Sequence, residues 1–272
     1  PKLVFGRMTG WGQEGPLSQA AGHDINYISV AGALGAMGYP DRPPAPPLNL
    51  IGDFGGGAMY LLTGILAALV ERSSSGKGQI IDAAMTDGTA SLLSPFYGLM
   101  AMNMWTTDRY SNRLDGGAYY YCSYECKDGK HISIGSLEPQ FYELLLEKCE
   151  ISDESFKEQL DQDSWPIKRD KMEAIFKSKT REEWCNIMEG SDVCFAPVLN
   201  LSEAPDHPHN KARNTFQNFE GVTQPAPAPR FSRTQGEIQS SAALVGEHTD
   251  EVLTAWGFSD EKIAELKSQG AI

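Results

Sequence analysis

The sequence of 272 residues is short of cysteine and of positive charge, and it has no apolar run of membrane-spanning length. Its five cysteines, Cys122, Cys126, Cys149, Cys185 and Cys194, are odd in number and irregularly spaced. That excludes a disulfide framework and suits a reducing compartment. Cys122 and Cys126 have no second pair at zinc-finger distance, so no metal site is expected. Lys and Arg number 23 against 36 Asp and Glu, a formal charge of −13. A surplus of negative charge repels phosphate backbones, and no nucleic-acid partner is expected. The most apolar run, Gly55 to Val70, is rich in Gly and Ala and shorter than the roughly 20 residues that span a bilayer. It reads as a buried helix, with no membrane partner. The terminus Gln269-Gly270-Ala271-Ile272 carries no Ser-Lys-Leu address. The expected location is a bacterial cytoplasm, or a mitochondrion or peroxisome in a eukaryote.

What is present alternates between strand and helix patterns. "KLVFGR" at the very start already reads as a core strand, which predicts a chain that opens in the middle of a fold. A Gly-rich turn follows, Thr9-Gly10-Trp11-Gly12. A short helix then opens near His23, with Ile25, Ile28, Ala31 and Leu34 at helical spacing. Five prolines within Gly38–Pro47 enforce a loop. The long apolar helix comes next, then a strand at Gln79–Ala84 and a helix from about Asp87. From Asp115 the texture changes. "YYYCSYECKDGKHISIG" predicts a hairpin turning at Asp128-Gly129, followed by acidic amphipathic helices through Met188. "CFAPVLN" predicts a strand whose Pro197 places it at an edge. Residues 205–240 read as a Pro-, Asn- and Gln-rich connector, and Thr249–Gly270 as a broken amphipathic helix.

Three segments carry candidate chemistry. Gly22-His23-Asp24-Ile25-Asn26-Tyr27 places a His at a helix start, where free N–H groups disfavour an extra proton and leave a neutral imidazole suited to a general base. The plainer reading makes Asp24 a cap and His23 a core residue. Asp53-Phe54-Gly55-Gly56-Gly57 offers a carboxylate base or nucleophile beside backbone a ligand can approach closely. The plainer reading is a cap with glycines that permit tight helix packing. Glu138 in "GSLEPQF" stands between a strand and a helix, either as a cap or as a carboxylate that orients a distant His. His131, His207, His209 and His248 read as structural or solvated, and Ser91 and Ser94 lack a nucleophile-elbow context.

Taken together, "GWGQEGP" (Gly10–Pro16), "AGHDINY" (Ala21–Tyr27), "PPLNLIGDFGGG" (Pro46–Gly57), "GKGQIIDAAMTDGTA" (Gly76–Ala90), "SLEPQFYELL" (Ser136–Leu145), "APVL" (Ala196–Leu199) and "GEHTDEVL" (Gly246–Leu253) resemble the class III CoA-transferase family, and within it the α-methylacyl-CoA racemases. The resemblance implies an α/β fold with a split Rossmann-like large domain, an inserted smaller α+β domain, and an interlocked homodimer. Its boundaries would be 1–105 for the large domain, 106–114 for a linker, 115–206 for the small domain, 207–227 for a connector and 228–272 for the return to the large domain. It also implies a further N-terminal segment of roughly a hundred residues, most of a domain by length. The substrate would be an acyl-CoA thioester and no separate cofactor would be needed, because CoA belongs to the substrate.

The implied reaction is epimerisation at the α-carbon of a 2-methylacyl-CoA through an enolate. His23 and Asp53 match its two bases. Glu138 matches a carboxylate that pairs with the His across the subunit interface, and Gly22, His23, Asp24, Ile25, Asn26 and Tyr27 match a substrate-binding stretch. The N–H groups near Asp24 would hold the enolate oxygen, and Met85, Tyr97 and Met100 would carry the acyl chain. The alternative within the family is CoA transfer, with Asp53 as a covalent nucleophile.

Overall fold

The computed structural model describes residues 1–272, in two units, Pro1–Val198 and Leu199–Ile272. In the first unit, parallel strands β1 (Phe5–Thr9) and β2 (Ile80–Ala84) pair from Phe5 opposite Ile80 to Thr9 opposite Ala84. A parallel pair needs a crossover. Here it runs through α1 (Asp24–Val30), a 3₁₀ turn at Leu34–Ala36, the proline-rich loop, and a π-helical stretch Leu50–Ala58 that continues without a break into α2 (Met59–Ser75). Gly76, at φ 73°, ends α2, and its N–H reaches the Arg72 carbonyl. Two helices follow β2, α3 (Met85–Leu92) and α4 (Ser94–Ala101).

Glycines set how closely these layers approach. A Cβ on Gly6 would lie 2.5 Å from Leu61 Cδ1, and one on Gly64 3.0 Å from Ile81 Cγ2, so α2 lies directly on the strand pair. The π-helical stretch lies equally close to α3. A Cβ on Gly56 would stand 2.6 Å from the Thr89 nitrogen, one on Gly57 3.0 Å from Met85 Cγ, and one on Gly88 1.9 Å from the Gly56 carbonyl oxygen.

The expectation of a buried apolar helix is overturned. The continuous helix Leu50–Ser75 is 26 residues long, apolar enough by length and composition to cross a bilayer, and mostly uncovered. In α2 only Ala68 is buried, while Met59, Leu62, Leu66 and Val70 are exposed. The reason is geometric. One face of α2 is committed to β1 and β2, and the chain places no further layer over the opposite face.

The larger core lies further along. Strands β3 (Tyr121–Glu125), β4 (His131–Gly135) and β5 (Phe195–Val198) form an antiparallel sheet in that order. The turn between β3 and β4 uses Gly129 at φ 72°, and Pro197 lies in edge strand β5. Helices α5 (Pro139–Lys148), α6 (Trp165–Phe176) and α7 (Arg181–Met188) cover the sheet. A Thr180–Glu183 capping box starts α7. Tyr119, Tyr120, Tyr142, Phe156, Trp165, Phe176 and Trp184 meet edge-on or stacked in the core. All five cysteines are free, and burial pushes the Cys149 thiol up to about 12. Residues 106–114 form a pinned seam. Asp115 accepts from the Ser111, Asn112 and Gly117 N–H groups, Tyr39 packs on Tyr110 at 4.8 Å, and the Arg169 guanidinium lies 4.4 Å over the Tyr110 ring.

In the second unit, the stretch expected to be a plain connector folds locally. It holds α8 (Pro208–Ala212) and a hairpin of β6 (Phe216–Phe219) and β7 (Val222–Pro225). The hairpin turn uses Glu220 at φ 50° and Gly221 at φ 85°, and Gly221 N–H donates to Asn218 Oδ1. Composition hid it, because Pro225 and the amides sit within the strands. The tail forms α9 (Thr249–Ala255) and α10 (Asp260–Ser268), broken by Gly257 at φ 91°.

Two stability outcomes follow from these contacts. Phe176 is fully buried, and Phe176→Ala should cost about 3–5 kcal/mol in chemical denaturation, as a large cavity in an aromatic core does. Gly88→Ala meets backbone rather than a flexible side chain, so a loss of about 1–3 kcal/mol is expected from overpacking. Wild-type midpoints for either variant would contradict the packing described.

Candidate active site

His23 is the residue at which the chain turns into α1, with an extended backbone at φ −137°, ψ 173°. The Asn26 amide oxygen accepts the His23 N–H at 3.1 Å. The imidazole faces the Asn26 N–H in return, a capping box with His in the place of Ser or Thr, although that second contact falls short of full hydrogen-bond geometry. The side chain is exposed. His23 is therefore no core residue.

Asp24 does more than cap. It is buried, and its Oδ2 accepts the Gly52 N–H at 2.7 Å and the Asp53 N–H at 2.8 Å. Its Oδ1 is buried without a partner. The first N–H groups of a helix have no internal acceptor, and Asp24 supplies one to two of them at the start of the π-helical stretch. Gly52 is required there, since its Cβ would lie 2.6 Å from Asp24 Oδ2. This joint brings the His23 and Asp53 segments together across 29 positions of sequence.

Asp53 is half-buried. The Asn49 side-chain amide donates to its Oδ2 at 3.1 Å. Tyr27 lies within its electrostatic reach, since the Tyr27 hydroxyl is pushed up first by burial and then by the Asp53 charge. The Tyr27 ring is set against Trp11 at 4.8 Å, edge to face, and fills the space beside Gly10 and Gly22, whose Cβ atoms would fall 2.0 and 2.7 Å from ring carbon Cε1. In the six-residue stretch 22–27, Gly22 thus makes room for Tyr27, Asp24 ties two segments, Asn26 caps, and Ile25 stays exposed. The glycines after Asp53 resolve toward the plainer alternative, because Gly56 and Gly57 serve contact with α3.

Glu138 stands at the N-cap position of α5 but makes no cap hydrogen bond with its side chain. Nothing in the chain joins it to His23 or Asp53. Its neighbour is Cys194, whose thiol is pushed up by burial and then by the Glu138 charge. The remaining histidines have local roles. His207 Nδ1 accepts the His209 N–H at the start of α8, His248 Nδ1 lies 3.6 Å from Glu251, and His131 is exposed on β4.

The α/β part also holds a mostly apolar cavity of about 580 Å³, lined by Met37, Leu93, Phe96, Tyr97, Met100 and Trp105 among others. Two of the three expected acyl-chain residues, Tyr97 and Met100, line it; Met85 packs at Gly57 instead. Sequence reasoning assigned no role to Asn49 or Trp11. Their signals were an amide four residues before an Asp, and an aromatic flanked by glycines.

The match to known proteins extends along most of the chain. Residues 1–249 match CoA-transferase family III. The chain is 44% identical over 270 residues to the alpha-methylacyl-CoA racemase of Mus musculus, covering 98% of this chain and 71% of that protein. It is 41% identical over 275 residues to the alpha-methylacyl-CoA racemase of Homo sapiens, covering 100% and 72%. A crystal structure of a CAIB/BAIF family protein from Brucella suis shares the fold at a TM-score of 0.75 and 22% identity, over 94% of this chain and 68% of that one. With its fold, its motifs and this extent of likeness, the chain belongs to CoA-transferase family III.

Proposed function

We propose that the protein interconverts the two configurations at the α-carbon of 2-methylacyl-CoA thioesters. The observation that carries this reading is the Asp24 joint, which anchors the segment bearing a His base beside the segment bearing an Asp base. Identity of 44% to a racemase over nearly the whole chain supports it. The thioester carbonyl acidifies the α-proton. One base removes it, leaving an enolate, and the conjugate acid of the other delivers a proton to the opposite face. His23 and Asp53 exchange these roles with the direction of reaction. N–H groups at the start of α1 are suited to the enolate oxygen.

In this reading Glu138 pairs with His23 from the partner subunit of a homodimer and fixes the imidazole tautomer. Its carboxylate, exposed and unused as a cap, is available for that role. The acyl chain lies in the apolar cavity that Tyr97 and Met100 line. CoA arrives as part of the substrate, and the chemistry calls for no other cofactor. The alternative, CoA transfer through an anhydride on Asp53, gives no role to His23.

The direct test is incubation with each enantiomer of a 2-methylacyl-CoA in D2O, with no acceptor acid. Deuterium should enter at the α-carbon as the configuration scrambles; an inert thioester would refute the reading, and a trapped Asp53 anhydride would replace it with transfer. His23→Ala and Asp53→Asn should each lower racemisation by about 10² to 10⁴, the usual cost of a positioned acid or base. Each variant should still exchange one enantiomer with retention, and the preference should reverse between the two.

The shared site has its own test. Inactive His23→Ala and Glu138→Ala chains, unfolded together and refolded, should regain about a quarter of parental activity, since half the dimers are mixed and each has one intact site. No recovery would place Glu138 in the same chain as the His23 it serves.

A further inference from the structure

The cavity assigned to the acyl chain has one polar side. Its apolar walls come from the chain just after α1 and from α4, and Phe96 packs there on Trp105 at 4.7 Å. The lining begins at Gly32, at the opposite end of α1 from His23. The seven residues of α1 put about 10 Å between the two. A short acyl group therefore ends before the cavity, and only a long chain enters it.

The polar side holds two carboxylates, Asp108 and Asp115, and one guanidinium, Arg109. Asp115 is fully engaged, accepting from the Ser111, Asn112 and Gly117 N–H groups and from the Asn112 side-chain amide. Asp108 is exposed and forms no ion pair with its neighbour. Arg109 is half-buried, and its guanidinium makes a single bond, from Nη2 to the Arg42 carbonyl oxygen at 3.0 Å. Its Nε is buried without a partner. The plainer role for Arg109 is this tie to the proline-rich loop. A neutral carbonyl, however, uses one of five donors and cancels none of the charge. The chain has 36 Asp and Glu against 23 Lys and Arg, yet it sets no carboxylate against this cation. A half-buried charge without a counter-charge is costly until an anion meets it.

The turn that carries Arg109 is fixed in advance. Buried Asn112 accepts the Thr106 N–H at 2.8 Å and donates to the Thr106 and Asp108 carbonyls at 3.1 and 3.3 Å. Little ordering is then lost when a ligand binds. A guanidinium matches a carboxylate with two parallel hydrogen bonds, and beside an apolar wall their attraction exceeds its value in bulk water.

Resting on the racemase reading above and its placement of the acyl chain, we propose that Arg109 is a specificity-determining residue that binds a carboxylate at the far end of that chain. The preferred substrates are then long 2-methyl-branched dicarboxylic acids carried as mono-CoA thioesters. Their methylenes lie on the apolar walls, and the terminal charge, which a wholly apolar cavity would expel, ends on Arg109.

The test compares two long-chain 2-methylacyl-CoA esters of equal carbon number, one ending in methyl and the other in carboxylate. Each is assayed by α-proton exchange in D2O. The parent should show a kcat/KM about ten- to a hundredfold higher for the carboxylate-ended ester, the usual strength of a charged hydrogen bond, and the difference should lie in KM. Arg109→Gln keeps an N–H donor for the Arg42 carbonyl but removes the charge, so the preference should fall to near parity. Arg109→Lys keeps the charge without the fork and should retain part of it. 2-Methylbutanoyl-CoA, too short to reach the cavity, reports whether each variant folds and exchanges at all. A parent that exchanges the short ester but treats the long pair alike, or favours the methyl end, would overturn the proposal. So would an undiminished preference in Arg109→Gln, or loss of short-ester exchange in both variants, which is the mark of a purely structural tie. A parent that exchanges none of the three esters would instead refute the racemase reading, and this assignment with it.

Discussion

A buried carboxylate that bonds to the backbone of a different helix is the constraint around which the α/β part is arranged. Asp24 gives one oxygen to two consecutive N–H groups, those of Gly52 and Asp53. Both belong to a helix start and have no acceptor within their own helix. The burial of Asp24 is offset because two backbone donors converge on it, and because a helix N-terminus favours negative charge. Gly52 has no side chain where one would collide with this oxygen. Gly56 and Gly57 let the same stretch lie on α3, and Asn49 reaches Asp53 from its first position. A small set of contacts therefore fixes where both candidate bases leave the backbone.

The two cores of the first unit differ in kind. Around β3, β4 and β5 the aromatic cluster is closed, with Tyr119, Tyr120, Ile132, Leu145, Phe176 and Trp184 all out of contact with solvent. Its polar groups are mostly satisfied internally. Tyr142 donates to the Phe156 carbonyl, Trp184 Nε1 to the Phe176 carbonyl, and the buried Lys168 ammonium to the Glu158 carbonyl. Burial pushes the Lys168 pKa down from its ordinary value. The α/β part has a smaller closed centre, Ile28, Ala33 and Leu34, with Met37, Ile51 and Leu93 against it. Its candidate bases, His23 and Asp53, lie at the margin of that centre, where backbone is firmly held and side chains reach solvent.

Much of this was legible in the residues. The hairpin turn at Asp128-Gly129 announces itself, because glycine there adopts the φ that the turn requires. The strand at Ile80–Ala84, the helix opening after His23, and the edge position of Pro197 followed from pattern and from what proline cannot donate. Other features had no one-dimensional signal. Whether the glycines after Asp53 face a ligand or a helix depends on Thr89 and Met85, more than 25 residues away. That Asp24 bonds to Gly52 rather than only to its own helix depends on the same tertiary approach. The exposed face of α2 has no such signal either, because apolar composition calls for cover without naming what supplies it. The hairpin at Phe216–Pro225 was hidden by Glu220-Gly221, a weaker turn signal than Asn-Gly or Asp-Gly.

The two sheets also end differently at their rims. Strand β5 carries Pro197, which withholds a donor and so blunts the outer rim of the three-stranded sheet. The parallel pair has no such stop. β1 reads Phe-Gly-Arg-Met-Thr and β2 reads Ile-Ile-Asp-Ala-Ala, and each is hydrogen-bonded along one side alone. A two-stranded parallel ribbon is a poor endpoint, since such sheets are stable when wide and covered on both faces. Strand β5 thus withholds a donor at its rim, whereas β1 and β2 each carry a row of peptide groups that no other strand of the chain pairs.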